Sequence, residues 1–123
     1  MGPDKKKILI VDDELTLRRI MSIKLKVCGY DVFTASSGRV ALRLIDEHEP
    51  DCVLPDIVIP DTDGLEVLRR LRAKSSLPVV AFSARPENAG RALDLGADVF
   101  ITKPFDMDLS LAAIKGTVKN TAG

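Results

Sequence analysis

Short runs of apolar residues alternate along this chain with longer stretches in which apolar residues recur every three or four positions. The short runs are typical of buried β-strands, and the longer stretches are typical of amphipathic helices. The predicted strands are Lys7–Val11, Asp31–Ala35, Cys52–Leu54, Val79–Phe82 and Val99–Ile101. A helical stretch follows each of them, so the pattern predicts five strands alternating with five helices.

The helical stretches begin and end at residues suited to those places. The first helix opens at Asp12-Asp13-Glu14, and Gly29 fits the position just beyond its end. Ser36 or Ser37 can cap the second helix, and Pro86 fits the first turn of the fourth. The side chains expected to face the sheet are Leu17, Ile20, Met21, Leu25, Cys28, Ala41, Leu44, Ile45, Leu68, Leu71, Leu111, Ile114 and Val118.

Strands joined by helical crossovers imply a parallel sheet with helices on both faces, which is the α/β class. The chain has 123 residues, 46% of them hydrophobic, so one domain can bury its own core. We therefore expect a single domain over residues 1–123, without internal repeats.

Composition excludes several classes of function. Lys+Arg and Asp+Glu balance at 18 each, so the net charge gives no support for nucleic-acid binding. The apolar run Ile8–Val11 is too short for a signal peptide or a membrane span, which favours a cytoplasmic protein without a membrane anchor. Two cysteines and one histidine exclude a clustered Cys/His metal site, and we expect Cys28 and Cys52 to be buried, reduced thiols.

Polar side chains stand at the carboxyl ends of four of the five predicted strands. They are Asp12 and Asp13 after the first, Asp56 after the third, Ser83 after the fourth and Lys103 after the fifth. Each has an ordinary alternative explanation, such as a helix cap, a turn residue or a solvent-exposed lysine. Because parallel strands end at one edge of a sheet, their joint placement favours one shared pocket.

The chemistry of such a pocket follows from its charges. Carboxylates held close together repel one another, and a hard divalent cation with oxygen ligands relieves the repulsion. Mg²⁺ is usually held by a few carboxylates together with phosphate oxygens of a substrate. Lys103 can contact a phosphoryl or carboxylate oxygen as a point charge.

These motifs together resemble those of a known family. Asp12-Asp13-Glu14, Asp56 with Pro60 and Asp63-Gly64 downstream, Ser83-Ala84, and Phe100-Ile-Thr-Lys103-Pro104-Phe105 are similar to motifs of two-component response regulator receiver domains, such as chemotaxis regulators. The resemblance extends from about Lys6 to Val118. It implies a flavodoxin-like (βα)5 three-layer sandwich whose five parallel strands have the order 2-1-3-4-5.

The resemblance also implies roles for individual residues. Asp56 would accept a phosphoryl group from a phosphohistidine on a sensor histidine kinase or phosphotransfer protein. Asp13, Asp56 and the main-chain oxygen of Val58 would bind Mg²⁺ or Mn²⁺ directly, and Asp12 would act through water. Lys103 would contact the acceptor carboxylate and then the phosphoryl group.

The output implied by the resemblance is a change of surface rather than turnover of an external substrate. Ser83 would bind a phosphoryl oxygen and swing inward, Phe100 would follow, and the face formed by the fourth helix, fifth strand and fifth helix would change. A downstream effector protein or domain would bind there, and the chain would be a monomer or a weak dimer linked to phosphorylation. Nothing after Val118 resembles an effector, so we expect a protein that acts alone or a receiver from a longer regulator.

Two features depart from the simplest version of this interpretation, one at Pro55 and one at Val58 with Arg85. Pro55 precedes the acceptor in a central strand and lacks an N–H, so either the strand ends at Leu54 or that position faces no partner. The resemblance places Val58 and Arg85 on either side of the path of the attacking water. Because Val58 is apolar and cannot orient water, we expect the phosphoryl group to be long-lived, and Val58→Asn should shorten its lifetime.

His48 stands alone and is expected to be solvated.

Other assignments compete with phosphoacceptance at Asp56. Asp61 and Asp63 are rival acceptors, but both follow Pro60 and lie past the strand end. A flavin-binding protein of the same fold would need small hydroxyl residues and glycine where the acidic Asp12–Glu14 segment stands. A hydrolase with an aspartyl-phosphate nucleophile and a degenerate receiver that only binds proteins are the remaining alternatives.

Overall fold

The computed structural model describes residues 5–57, 64–103 and 107–121. Within these ranges, five strands alternate with five helices, as predicted. They are β1 (Lys7–Val11), α1 (Leu15–Val27), β2 (Asp31–Ala35), α2 (Gly38–His48), β3 (Cys52–Pro55), α3 (Gly64–Lys74), β4 (Val80–Ser83), α4 (Ala89–Asp94), β5 (Val99–Thr102) and α5 (Met107–Thr121). A short 3-10 turn, Pro86–Asn88, precedes α4.

The described strands form a parallel sheet with β1 near its centre. β1 pairs with β2 on one side and with β3 on the other, and β4 pairs with β5. Among the described residues, the backbone pairing between the two parts consists of the isolated bridges Val53↔Val79 and Asp56↔Phe82. The spatial order fits the predicted 2-1-3-4-5, with isolated bridges rather than a continuous ladder between the described parts of β3 and β4.

Pro55 explains this interruption. Val53 donates its N–H to Pro78 O at 3.0 Å, and Ile57 donates to Phe82 O at 2.8 Å. In a parallel ladder alternate residues donate to the same side, so the nitrogen of position 55 also faces β4, where proline has no hydrogen to give. Neither expectation for Pro55 was correct, since β3 includes this residue and the missing donor faces a neighbouring strand.

The side chains of alternate strand residues build a core on each face of the sheet. One core cluster joins Leu9 and Val53 to residues of α2, α3 and α4. The other joins Ile8 and Phe82 to residues of α1 and α5. The strands are therefore covered on both faces, which gives the predicted three-layer α/β sandwich.

Most of the predicted inward-facing residues are buried or half-buried, but Ile20 in α1 and Cys28 just after it are exposed. Met21 and Leu25 are buried, whereas Ile20 is 43% exposed and Cys28 is exposed. The core contacts of α1 follow a narrow stripe with a spacing of four residues, and Ile20 falls beside it. Cys28 caps the end of the helix and turns away from the core, so the prediction of two buried thiols holds for Cys52 alone.

Local signals at the helix ends were more reliable. Gly29 has φ of +97° and donates to Lys26 O, which closes α1 as predicted. Ser37, rather than Ser36, caps α2 by accepting the N–H of Val40.

The prediction that His48 is solvated was wrong, because its half-buried ring stacks on Phe33 with 4.3 Å between ring centroids. In the described ranges, no helix has the length and apolarity needed to cross a bilayer.

Candidate functional site

Asp12 directly follows β1 at the carboxyl edge of the sheet and is 2% exposed. Its Oδ1 accepts the N–H of Glu14 at 2.8 Å, and its own N–H donates to Ala35 O at 3.0 Å. Arg18 donates from Nη1 to the carbonyl oxygen of Asp12 at 2.6 Å. These bonds fix the Asp12 carboxylate so that Oδ2 points into the site.

Asp56 follows β3 and is 6% exposed. Its N–H donates to Val11 O at 2.7 Å, and the next N–H, from Ile57, bonds to β4. The backbone at Asp56 is therefore held by strands on both sides, even though Pro55 leaves one ladder position empty. This attachment keeps the carboxylate at the sheet edge.

Asp13 is exposed beside the two buried acids. One carboxylate oxygen from each of Asp12, Asp13 and Asp56 lies within 4.8 Å of the others. Three carboxylate oxygens at this separation form a donor set that suits a hard divalent cation such as Mg²⁺. Val58, predicted to add a main-chain ligand, lies outside the described residues, as do Asp61 and Asp63.

Lys103 comes to the same place from the end of β5. Its Nζ lies 2.5 Å from Asp12 Oδ2 and 2.7 Å from Asp56 Oδ2, and the side chain is 11% exposed. Burial alone would lower the pKa of Lys103, but hydrogen bonds and charges of the two carboxylates outweigh it and raise the pKa above its ordinary value. The site therefore contains a stable ammonium group, with three carboxylates that leave an excess of negative charge for a bound cation.

Ser83 ends β4 and is fully buried. Its Oγ accepts the N–H of Arg85 and the side-chain Nδ2–H of Asn88, both at 3.0 Å. Within the described part of the chain, these bonds direct the hydroxyl oxygen toward the connection between β4 and α4. The structure thus brings Ser83 to the same sheet edge as the acids, with its hydroxyl engaged elsewhere.

Phe100 lies in β5 opposite Ala81. Its ring is half-buried and packs against the core cluster on the α2–α3–α4 face. It lies three residues before Lys103, on the strand that carries that lysine to the site.

Two residues near the site were not assigned a role from sequence. Gly64 donates its N–H to Ile57 O at 2.9 Å, and an added Cβ there would lie 2.5 Å from Asp56 O. From the sequence, Gly64 was noted as part of the Asp63-Gly64 motif and as the residue before an apolar helical stretch, and neither signal predicted this close approach. Asn88 carried no signal, since its bond to Ser83 depends on the shape of the β4–α4 turn.

Comparisons with known proteins agree with this geometry. Residues 8–115 match the family described as response regulator receiver domain. The transcriptional regulatory protein KdpE of Mycobacterium tuberculosis is 46% identical over 118 residues, which cover 94% of this chain and 52% of KdpE. The chain thus spans about half the length of the curated relatives it matches.

Solved receiver structures superpose closely on this fold. The receiver domain of the Francisella response regulator 1452 is 31% identical, with a TM-score of 0.89 and coverage of 95% of this chain and 99% of that one. The BeF3-activated N-terminal receiver domain of RstA from Klebsiella pneumoniae is 28% identical, with a TM-score of 0.87 and coverage of 92% and 98%. The chain therefore belongs to the response regulator receiver domain family and is a signalling domain of a two-component system.

Proposed function

We propose that Asp56 accepts a phosphoryl group from a phosphohistidine on a sensor histidine kinase or phosphotransfer protein. The observation that carries this proposal is the bridge from Lys103 Nζ to Asp56 Oδ2 at 2.7 Å, beside the carboxylates of Asp12 and Asp13. A buried carboxylate with a fixed ammonium group and a cation-binding acid pair has what phosphoryl transfer requires. We also infer that the receiver core extends from Lys6 to Val118.

The transfer moves one phosphoryl group and no net electrons. A carboxylate oxygen of Asp56 forms a bond to phosphorus while the phosphorus–nitrogen bond of the phosphohistidine breaks, and the imidazole nitrogen keeps the electron pair. The product is an acyl phosphate on Asp56 and a free histidine. Little covalent work falls to the protein, so positioning and charge neutralisation dominate.

Asp13 and Asp56 would hold Mg²⁺ or Mn²⁺ directly, with the main-chain oxygen of Val58, and Asp12 would act through water. The cation supplies charge neutralisation for the phosphoryl oxygens when it is bound. Lys103 holds Asp56 before the transfer and can then bind a phosphoryl oxygen, because its flexible stem lets Nζ follow the new charge. Asp12, fixed by Glu14 and Arg18, keeps its carboxylate in place throughout.

The added phosphate charge would then bias Ser83 and Phe100 toward the site. Movement of these residues changes the face formed by α4, β5 and α5, where a downstream effector protein or domain would bind. We infer a monomer or a weak dimer linked to phosphorylation.

The second candidate is a degenerate receiver that binds proteins without phosphorylation. Pro55 was the sequence feature that favoured it, because displacement of Asp56 would impair the site. The bond from Asp56 N–H to Val11 O at 2.7 Å weakens that support.

A labelling experiment separates the two candidates. The chain is incubated with acetyl phosphate and Mg²⁺, and phosphoprotein is measured for the wild type, Asp56→Asn and the exposed-site control Asp31→Asn. We expect labelling of the wild type and the control, and none in Asp56→Asn or with EDTA. An unlabelled wild type would favour the degenerate receiver, and a labelled Asp56→Asn would exclude Asp56 as the acceptor.

A further inference from the structure

The Ser83 hydroxyl has no unused acceptor capacity in this structure. A serine hydroxyl accepts through two lone pairs and donates through one O–H. The N–H of Arg85 and the Nδ2–H of Asn88 both approach Oγ at 3.0 Å, so each lone pair has a donor. The O–H alone remains available to another acceptor.

The two donors differ in what they attach the hydroxyl to. The N–H of Arg85 lies two residues along the backbone and belongs to the local turn that follows β4. Asn88 is the last residue of the 3-10 turn, immediately before α4, and it donates from its side-chain amide. The Asn88 bond therefore joins the end of a core strand to the start of a helix.

The backbone at Asn88 also explains why its side chain is free to reach Ser83. Asn88 precedes α4, a position where asparagine usually accepts an N–H of the first turn. Here its φ of −77° and ψ of −12° are helical, and the side chain makes no capping hydrogen bond. Its half-buried amide turns back toward β4 instead.

We propose that Asn88 is a positioning residue that tethers the Ser83 hydroxyl to the β4–α4 turn in the unmodified protein. This inference rests on the proposed function for its consequence: Ser83 gives up the Asn88 bond when it turns toward a phosphoryl group on Asp56. Release of that bond frees the start of α4 at the same moment. The tether thus sets how easily the phosphorylated state forms and links it to the helix.

Two substitutions at Asn88 have opposite expected effects. Asn88→Ala removes the tether, so Ser83 turns inward without losing a bond. Asn88→Asp keeps the shape of the side chain but replaces the NH₂ donor by a carboxylate oxygen, which is an acceptor. The Ser83 O–H would then donate to this carboxylate and would be less available to a phosphoryl oxygen. A purely structural role would change both variants in the same direction, toward weaker binding.

The experiment measures the affinity for beryllofluoride with Mg²⁺, which mimics a phosphoryl group on a carboxylate. One net hydrogen bond corresponds to about a three- to tenfold change in affinity, so we expect about that gain in Asn88→Ala and about that loss in Asn88→Asp. Both effects should vanish in a Ser83→Ala background, and the exposed-site control Glu87→Gln should bind like the wild type. Changes of the same sign, or changes that persist in Ser83→Ala, would overturn the tether.

A second measurement needs no phosphoryl chemistry and separates this inference from the proposed function. The side-chain NH₂ resonances of Asn88 are recorded by NMR in the unmodified wild type and in Ser83→Ala. A clear change in the chemical shifts of the Asn88 side-chain NH₂ group in Ser83→Ala supports the tether. Failure of the wild type to bind beryllofluoride would count against the proposed function but not against the tether. Unchanged Asn88 resonances would overturn the tether whatever the binding results.

Discussion

Lys103 Nζ lies 2.7 Å from Asp56 Oδ2, and this contact joins the two parts of the interrupted sheet at the site. Asp56 belongs to the β2–β1–β3 part and Lys103 to the β4–β5 part. The same ammonium group lies 2.5 Å from Asp12 Oδ2, so a single side chain bridges two buried carboxylates. Chemistry at Asp56 therefore acts on a contact that holds the sheet edges together.

Removal of this ammonium group should destabilise the fold unless a cation replaces it. Lys103→Met removes the ammonium group from the buried carboxylates of Asp12 and Asp56, which should lower the free energy of unfolding by about 3–5 kcal/mol without metal. Added Mg²⁺ should recover part of that loss. Urea denaturation with and without Mg²⁺ measures both, and Lys115→Met, at an exposed lysine of α5, is the matched control. Equal stability of the two variants would contradict the pairing.

The pH dependence of this pair has a defined sign. The pKa of Lys103 is raised above 10.5 in the folded state. Its contribution is therefore fully present below the unfolded-state pKa and is lost as the pH rises through the higher folded-state value. The difference in unfolding free energy between wild type and Lys103→Met should stay constant from neutral pH to about pH 10, then shrink. A difference that shrinks between pH 7 and pH 9 would argue against it.

The two cysteines should differ sharply in reactivity. Cys28 is exposed, whereas burial and the nearby acidic charges of Asp98 and Asp51 raise the pKa of Cys52 to about 12. A thiol reagent at pH 8 should modify one cysteine in the native protein and both after unfolding. In Cys28→Ser the native protein should not react. Rapid native modification of Cys52 would mean that its strand opens readily.

Gly64 should tolerate no side chain. A Cβ at this position would lie 2.5 Å from both Asp56 O and Ile57 Cα, so the backbone that carries the acceptor must move. We expect Gly64→Ala to lose about 1–3 kcal/mol of stability and most Mg²⁺-dependent labelling. Gly116→Ala is the control, since an added Cβ there meets nothing within 4 Å, and alanine should stabilise α5 by up to about 1 kcal/mol. Full labelling of Gly64→Ala would contradict the close approach.

Pro55 can be tested by giving its position a donor. In Pro55→Val the new N–H should face Val80 O, because Val53 and Ile57, two residues to either side, donate to Pro78 O and Phe82 O. The amide should exchange as slowly as other core amides, while total stability changes little because the gained hydrogen bond is offset by the lost rigidity of proline. Fast exchange at position 55 would show that the interruption has another cause.

The sequence predicted the site more fully than it predicted the surfaces of the helices. Asp12, Asp56 and Lys103 could be placed together because parallel strands end at one edge, whatever the details of packing. Ile20 was misassigned because periodicity marks a broad apolar face, whereas the contact with the sheet is a narrow stripe. Which side of β3 lacks a donor at Pro55 depends on strand register, which no local pattern contains.

Side-chain contacts that depend on loop shape were also beyond prediction. Asn88 reaches Ser83 only because the 3-10 turn directs it back toward β4. His48 was expected in solvent, yet its ring stacks on Phe33 of β2. In each case the pair is close in space through tertiary geometry rather than through spacing along the chain.

The most direct test of the central claim identifies the modified residue itself. Borohydride reduces an acyl phosphate to an alcohol with release of phosphate, so a phosphorylated aspartate becomes homoserine. The chain is treated with acetyl phosphate and Mg²⁺, reduced, digested and sequenced by mass spectrometry. We predict homoserine at position 56 and not at Asp12, Asp13, Asp61 or Asp63. Homoserine at any of those positions, with aspartate intact at position 56, would contradict the account.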